Sequence, residues 1–147
     1  MRKKTKDEGK TLKASCEFTP RFSEVDSMNI VWHGSYPLYF EDAREAFGRK
    51  YNLGYLTIFD NGYYAPLVEM TYEFKSPAVY GMQCRVDITY HATEAAKIVF
   101  TYEIRNRDTE ELLATGRTVQ VFMDRDYHLV WLNPEFYQKW KEANGLI

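Results

Sequence analysis

Apolar residues recur at two different spacings along this chain of 147 residues, and the change of spacing divides it into elements. Between residues 36 and 51 the spacing is i, i+3, i+4, i+7, which predicts an amphipathic helix of four turns. Its apolar stripe consists of Tyr36, Tyr39, Phe40, Ala43, Phe47 and Tyr51. Ser35 is a suitable N-cap, Pro37 is tolerated in the first turn, and Asn52 or Gly54 can end the helix.

Alternation of apolar and polar residues predicts five strands, one before this helix and four after it. The first strand covers Ala14 to Phe22, with Pro20 at an edge position or at the strand's end. The later apolar stripes lie at residues 68–74, 86–90 and 98–104, and Leu113 to Met123 forms a long fifth strand. Short connections favour antiparallel pairing. Asn133-Pro134 then opens a short amphipathic helix at the C-terminus.

This order of elements predicts one α+β domain over residues 13–147, preceded by a polar tail at residues 1–12. A single long helix cannot cover both faces of the sheet, so we expect the uncovered face to need a partner chain. Small residues on one face of the fifth strand would allow the helix or a second backbone to approach closely; they are Ala114, Gly116 and Thr118.

Composition narrows the classes of function. A net charge of −2 gives no basic field for nucleic acid, and no run approaches the roughly 18 apolar residues of a membrane span. The charged N-terminal segment lacks the apolar core of a signal peptide. Cys16 and Cys84 are isolated, which suits neither a disulfide framework nor a metal site. We therefore expect a cytoplasmic protein without a metal or a cofactor.

One carboxylate lies in an unusual place. Asp26 precedes Ser35 by nine residues, so it cannot cap the first turn of the helix through a local hydrogen bond. The apolar residues after it (Met28, Ile30, Val31 and Trp32) should partly desolvate the carboxylate and sharpen its basicity. A helix N-terminus supplies unpaired N–H donors for a developing oxyanion. The pattern is typical of acyl-transfer chemistry, although an Asp in a loop is also a common turn former.

The string D-x-x-x-I-V-W-H-G-x-Y from Asp26 to Tyr36, followed by Y-F-E-D-A-R, resembles the hotdog-fold acyl-CoA thioesterases. Within that fold it is most similar to the 4-hydroxybenzoyl-CoA thioesterase-like branch, which includes the YbgC-type acyl-CoA hydrolases. The resemblance implies a long central helix wrapped by a five-stranded antiparallel sheet. It also implies an acyl-CoA substrate, with acyl-carrier protein as a possible alternative carrier, and self-association as a homodimer or homotetramer.

Residue roles follow from the same resemblance. Asp26 occupies the place of the nucleophile or general base, and the backbone N–H of His33, with Gly34 beside it, occupies that of the oxyanion donor. An imidazole role for His33 stays open. Asn29, Trp32 and Tyr36 are candidate substrate contacts, although Asn29 could equally serve a turn and Tyr36 could pack in the core.

Several alternatives remain at this stage. A second hotdog branch places its catalytic carboxylate on the central helix, which makes rivals of Glu41, Asp42 and Glu45. An enoyl-thioester hydratase and a non-catalytic acyl or aromatic-ligand binding protein are competing functions. Phe59, Tyr63 and Tyr64 could shape an acyl pocket. Candidates for the phosphates of coenzyme A are Lys75, Arg85, Lys97, Arg105 and Arg117.

Overall fold

The computed structural model describes residues 9–147 and contains three α-helices, one 3₁₀ turn (Phe22–Glu24) and seven strands within that range. In chain order the α-helices and strands are β1 (Thr11–Phe18), α1 (Tyr36–Tyr51), α2 (Tyr55–Asp60), β2 (Tyr63–Tyr64), β3 (Leu67–Phe74), β4 (Cys84–His91), β5 (Lys97–Asn106), β6 (Leu112–Asp124), β7 (Leu129–Val130) and α3 (Glu135–Ala143). Residues 1–8 of the predicted tail lie outside the described range. Strand β1 begins at Thr11, inside the stretch assigned to that tail.

The five long strands form one antiparallel sheet in the order β1-β4-β5-β6-β3. The two-residue strands β2 and β7 both pair with the last residues of β6. Helix α1 packs against β1 and β4 on one face of this sheet. The α+β class and the long helix wrapped by a five-stranded antiparallel sheet are therefore confirmed, as is the short C-terminal helix.

Aromatic rings fill the space between α1 and the sheet. Phe40 stacks on Tyr102 at a centroid distance of 4.4 Å, and Phe47 lies 5.0 Å from Phe100 and 5.9 Å from Tyr90. Every member of the predicted helical stripe is buried except Tyr51, which is half-buried. The high aromatic content thus forms the interior, where such rings contribute large buried areas.

Gly116 in β6 leaves room for an aromatic side chain of α1. A Cβ atom at this position would lie only 2.6 Å from the ring of Phe40. Its neighbours on the same face of the strand, Ala114 and Thr118, are fully buried beneath the helix. The small residues of the fifth strand therefore make room for the Phe40 ring of α1, whereas the helix backbone itself lies against β1 and β4.

Two local predictions at the ends of elements were wrong. Strand β1 ends at Phe18, and Phe22 lies exposed in a 3₁₀ turn, because Pro20 has no N–H to continue the ladder. Ser35 precedes α1 but makes no capping bond; its hydroxyl donates instead to the carbonyl of Glu24 at 3.0 Å. The C-terminal end matches the prediction, since Asn52 adopts the left-handed conformation there with φ 59°.

The face of the sheet away from α1 is polar and carries several ion pairs. Arg85 binds both Asp87 and Glu110, and further pairs join Arg105 to Glu103 and Arg117 to Glu69. Such a face can be solvated by water, and the expectation that it meets a partner chain stays a prediction. Large exposed apolar side chains lie elsewhere, many of them before α1, in its first turn, and on or after β3: Phe22, Met28, Trp32, Leu38, Val68, Phe74 and Tyr80.

No helix within residues 9–147 is both long enough and apolar enough to cross a membrane.

Candidate active site

The segment before α1 folds into a small β-hairpin. Val25 and Val31 form an antiparallel bridge, the Asp26 N–H donates to the carbonyl of Ile30, and the Trp32 N–H donates to that of Glu24, both at 2.9 Å. The Val31 N–H donates to the carbonyl of Ala78, which ties the hairpin to the loop after β3. The hairpin therefore has a fixed place, and its second arm leads directly into the helix.

Asp26 lies at the tip of this hairpin and is half-buried. Its Oδ1 accepts the Met28 N–H at 2.8 Å, while Oδ2 accepts no hydrogen bond from any residue of the described part of the chain. Asn29 closes the turn: its φ is 64°, and its N–H donates to the carbonyl of Asp26 at 3.0 Å. One carboxylate oxygen is thus held by the backbone and the other is available to a proton or a substrate. The contact that the structure shows for Asn29 is this hydrogen bond of the turn.

The apolar residues around Asp26 are arranged differently from expectation. Met28 is 69% exposed and Trp32 is 50% exposed, so neither encloses the carboxylate within one chain. Val31 alone of the four predicted neighbours is fully buried. A second chain or a bound ligand would have to cover the loop before these side chains could desolvate Asp26.

Unpaired amides mark the start of α1. The Ser35 N–H donates to the carbonyl of Trp32 at 2.8 Å, but the N–H groups of His33 and Gly34 meet no acceptor among residues 9–147. They lie at the N-terminal end of a helix of 16 residues, where the helix dipole favours negative charge. The carbonyl of His33 accepts a hydrogen bond from the hydroxyl of Tyr72 at 2.9 Å, which fixes the peptide that joins His33 to Gly34. The imidazole of His33 is exposed.

Gly34 is required by the packing of Trp32. A Cβ atom on Gly34 would lie 2.2 Å from the indole, well inside van der Waals contact. The indole therefore rests directly on the backbone that carries the unpaired amides. This places Trp32 beside the candidate oxyanion site, with half of its surface open to solvent.

Tyr36 belongs to the core and not to an open surface. Its side chain is 3% exposed, and its ring lies 5.2 Å from that of Phe74 and 5.9 Å from that of Tyr72. Burial raises the pKa of its hydroxyl. Of the three candidate substrate contacts, Tyr36 is therefore the one that a ligand does not reach. Its role is to pack in the core.

The rival carboxylates stand on the exposed side of α1. Glu41 lies 3.7 Å from Arg44, and Glu45 lies 3.4 Å from Arg49, as expected for pairs one turn apart. Asp42 has no ion-pair partner among the described residues, and burial, with Glu45 nearby, raises the pKa of its carboxyl group. None of these carboxylates lies on the hairpin that carries Asp26.

A groove of about 800 Å³ runs between the later turns of α1, helix α2 and the sheet. Its apolar lining includes Leu53, Ile58, Ala65, Ile98 and Phe100, and the three carboxylates of α1 border it. The predicted pocket residues are engaged elsewhere. Tyr63 packs on Phe122 and Phe136, Tyr64 stacks on Tyr127, and the ring of Phe59 lies under Arg125.

Most of the basic residues proposed for coenzyme A phosphates already have partners. Lys75 pairs with Glu73, and the three arginines are held by the carboxylates of the outer sheet face. Lys97 alone of the five makes no ion pair within the described part of the chain.

One group of possible metal ligands lies between β6 and β7. Asp124, Asp126 and His128 each offer an atom within 4.8 Å of the others. Asp124 accepts the N–H groups of the other two residues at 2.9 and 3.0 Å, so a turn accounts for their closeness.

Comparison with known proteins places this geometry in a family. The family model described as the thioesterase-like superfamily matches residues 20–140. A Bacillus subtilis (strain 168) protein named "Putative acyl-CoA thioesterase YneP" is 29% identical over 110 residues, covering 75% of this chain and 79% of that one.

Solved structures agree with the match. The DHNA-CoA thioesterase of Staphylococcus aureus superposes with a TM-score of 0.80 at 25% identity, over 90% of this chain and 89% of that chain. A 4-hydroxybenzoyl-CoA thioesterase mutant, solved with 4-hydroxybenzoyl-CoA, has the same fold, with a TM-score of 0.75 at 17% identity over 87% and 97% of the two chains. The chain belongs to the thioesterase-like superfamily and is a hotdog-fold thioester hydrolase of the 4-hydroxybenzoyl-CoA thioesterase-like kind.

Proposed function

We propose that this thioesterase hydrolyses acyl-CoA thioesters to the free acid and coenzyme A, with Asp26 as base or nucleophile. The observation that carries the proposal is that the Asp26 hairpin holds a carboxylate oxygen without a partner among the described residues and leads directly into two unpaired amides at the start of α1. The name of the Bacillus subtilis relative supports coenzyme A as the thiol carrier.

In the proposed reaction the thioester carbonyl oxygen points at the N–H of His33. As the carbonyl carbon is attacked, negative charge develops on that oxygen, and the amide and the helix dipole stabilise it. Asp26 either takes a proton from the attacking water or attacks directly and is released by water in a second step. In both routes the carbon–sulfur bond breaks, the sulfur leaves as coenzyme A thiol, and one water is consumed.

The groove beside α1 offers room for the acyl group. Its volume of about 800 Å³ and its mainly apolar lining suit a fatty-acyl or an aroyl group, since ligand pockets commonly measure about 300–1,000 Å³. None of the residues lining this groove belongs to the Asp26 hairpin. Trp32 and Asn29 stay as proposed substrate contacts because both are exposed on the hairpin itself.

A second copy of the chain is proposed to complete the site. Strand β3 pairs on one side with β6, and no strand of residues 9–147 occupies its other side. Val68 on this strand is 59% exposed, and Met28 and Trp32 lie open on the hairpin. An unpaired strand edge with apolar side chains nearby favours association, which would also shield Asp26 from water.

We expect Val68→Lys to shift the protein from a mass of at least twice the 17.4 kDa of one chain to that of a monomer, with loss of most thioesterase activity. A lysine on a strand edge opposes pairing with another edge. Size-exclusion chromatography with light scattering measures the mass. Leu132→Lys is the matched control, because Leu132 is also highly exposed but lies between β7 and α3. A dimer that persists in Val68→Lys contradicts an interface at β3.

A cytoplasmic location is part of the proposal. Cys16 and Cys84 are both free thiols, although their strands are neighbours in the sheet, which fits a reducing compartment.

Release of coenzyme A thiol from a panel of short, long and aromatic acyl-CoA compounds tests the function. We expect steady turnover on at least one compound and no hydration of crotonyl-CoA. Hydration of crotonyl-CoA without thiol release would identify a hydratase. Saturable binding with no release from any compound would identify a binding protein. Either result contradicts the proposal.

A further inference from the structure

We propose that the hydrogen bond between Tyr39 and Glu24 is a positioning device that holds the hairpin of Asp26 in register with the unpaired amides of α1. The inference rests on the proposed function and adds two residues to it that do not touch the reacting atoms. Neither residue stands out in the sequence as a candidate for the site.

Glu24 joins the hairpin to the helix at several points. Its Oε1 accepts the hydroxyl of Tyr39 at 2.9 Å and the backbone N–H of Arg21 at 2.9 Å. Its backbone carbonyl accepts the Trp32 N–H at 2.9 Å and the hydroxyl of Ser35 at 3.0 Å. One residue therefore contacts both the second arm of the hairpin and two residues at the start of α1.

Tyr39 is a rigid anchor for this contact. Its side chain is 2% exposed, and its ring stacks on Phe18 of β1 at a centroid distance of 3.9 Å. The hydroxyl reaches Glu24 from a ring that cannot move without disturbing the core. Burial and the neighbouring carboxylate of Glu24 raise the pKa of this hydroxyl, so it stays protonated and donates the bond throughout the working range of pH.

The position of Glu24 in the chain explains the consequence for catalysis. It lies two residues before Asp26, and the Trp32 amide that it binds lies one residue before His33. A shift of Glu24 therefore moves the carboxylate and the oxyanion donor relative to each other. A misplacement of about 1 Å in such a pair costs on the order of 100-fold in rate.

The test compares kinetic constants of wild type, Tyr39→Phe, Glu24→Gln and Glu24→Ala on the best acyl-CoA substrate. Tyr39→Phe keeps the stacked ring and loses only the hydroxyl, so we expect kcat to fall about 10-fold with KM within about 2-fold. The kcat of Glu24→Ala should fall at least as far as that of Tyr39→Phe. Glu24→Gln should keep most of the activity, because its amide oxygen can still accept the Tyr39 hydroxyl and the Arg21 N–H.

Tyr137→Phe is the matched control. Tyr137 is also a fully buried tyrosine, and its hydroxyl donates to the carbonyl of Lys97 at 2.6 Å, far from the hairpin in the fold. The hydroxyl of Tyr137 also meets that of Tyr90 at 2.7 Å, so we expect this variant to lose at least as much thermal stability as Tyr39→Phe while kcat stays at the wild-type value. Wild-type kcat in Tyr39→Phe, or an equal loss of kcat in both variants, would overturn the positioning role.

Amide hydrogen exchange separates this inference from the proposed function. Peptides covering residues 23–34 should exchange faster in Tyr39→Phe than in wild type, whereas in Tyr137→Phe they should not. If the wild type releases no thiol from any acyl-CoA, the proposed function fails while this measurement still decides the role of the hydrogen bond. Unchanged exchange in Tyr39→Phe contradicts the inference even when the wild type is active.

Discussion

Asp26→Asn should lower kcat for thiol release by about 10²–10⁴-fold, because the amide can neither accept a proton nor attack the thioester. The substitution keeps the shape of the side chain and the oxygen that accepts the Met28 N–H. The hairpin should therefore persist, and the thermal midpoint should stay within a few degrees of wild type. Stopped-flow detection of the released thiol, together with thermal melting, measures both quantities.

The helix carboxylates provide the matched controls for this variant. Glu41→Gln, Asp42→Asn and Glu45→Gln make the same chemical change on exposed positions of α1. They border the groove proposed for the acyl group, so any effect is expected on KM. Each should keep kcat within about 3-fold, because none of the three lies on the hairpin that carries Asp26. Full activity in Asp26→Asn, with a large loss in one of the three, would move the catalytic carboxylate to the helix.

Gly116→Val should destabilise the protein by about 3 kcal/mol, because the new side chain would overlap the ring of Phe40. That ring is fully buried, stacked on Tyr102 and edged by Tyr72, so it has no free space to enter. For a chain of this length such a loss lowers the thermal midpoint by roughly 10 °C. Urea denaturation measures the free energy of unfolding.

Two further variants show whether the overlap is the cause. Thr115→Val lies on the outward side of the same strand and should change the free energy of unfolding by less than about 0.5 kcal/mol. In a Phe40→Leu background, the additional cost of Gly116→Val should fall below about 1 kcal/mol, because the smaller side chain makes room. Equal costs in the two backgrounds would exclude a clash with this ring.

Elements with strong periodicity were predictable from the sequence. Helix α1 occupies residues 36–51 as its stripe indicates, and α3 begins directly after Asn133-Pro134. Helix α2 was missed: its six residues, YLTIFD, are rich in β-branched and aromatic types, and one and a half turns are too short for a helical period to emerge. Strands β2 and β7 have two residues each and depend on the end of β6 for their existence.

The candidate site was predictable only where its groups are local. Asp26, His33 and Gly34 belong to one segment, and their motif identified them. The environment of Asp26 was not predictable. Whether Met28 and Trp32 cover the carboxylate depends on which groups pack against the hairpin, and the sequence alone does not specify them.

Glu24 and Tyr39 were missed for a related reason. Fifteen residues separate them, and their bond exists only because the 3₁₀ turn and the hairpin fold back onto α1. Within the sequence, Glu24 is one of 21 acidic residues and Tyr39 one of 12 tyrosines, and each fits an ordinary surface or core role. Long-range hydrogen bonds of this kind become visible only in three dimensions.

The indole that rests on Gly34 gives this protein an optical reporter of its own. Of the three tryptophans, Trp140 is buried with its Nε1–H bound to the carbonyl of Tyr51, and Trp131 is almost fully exposed. Trp32 lies between these extremes, at the entrance to the helix start where a thioester is expected to bind. Its fluorescence should therefore follow ligand arrival without any attached dye, while the other two provide a constant background.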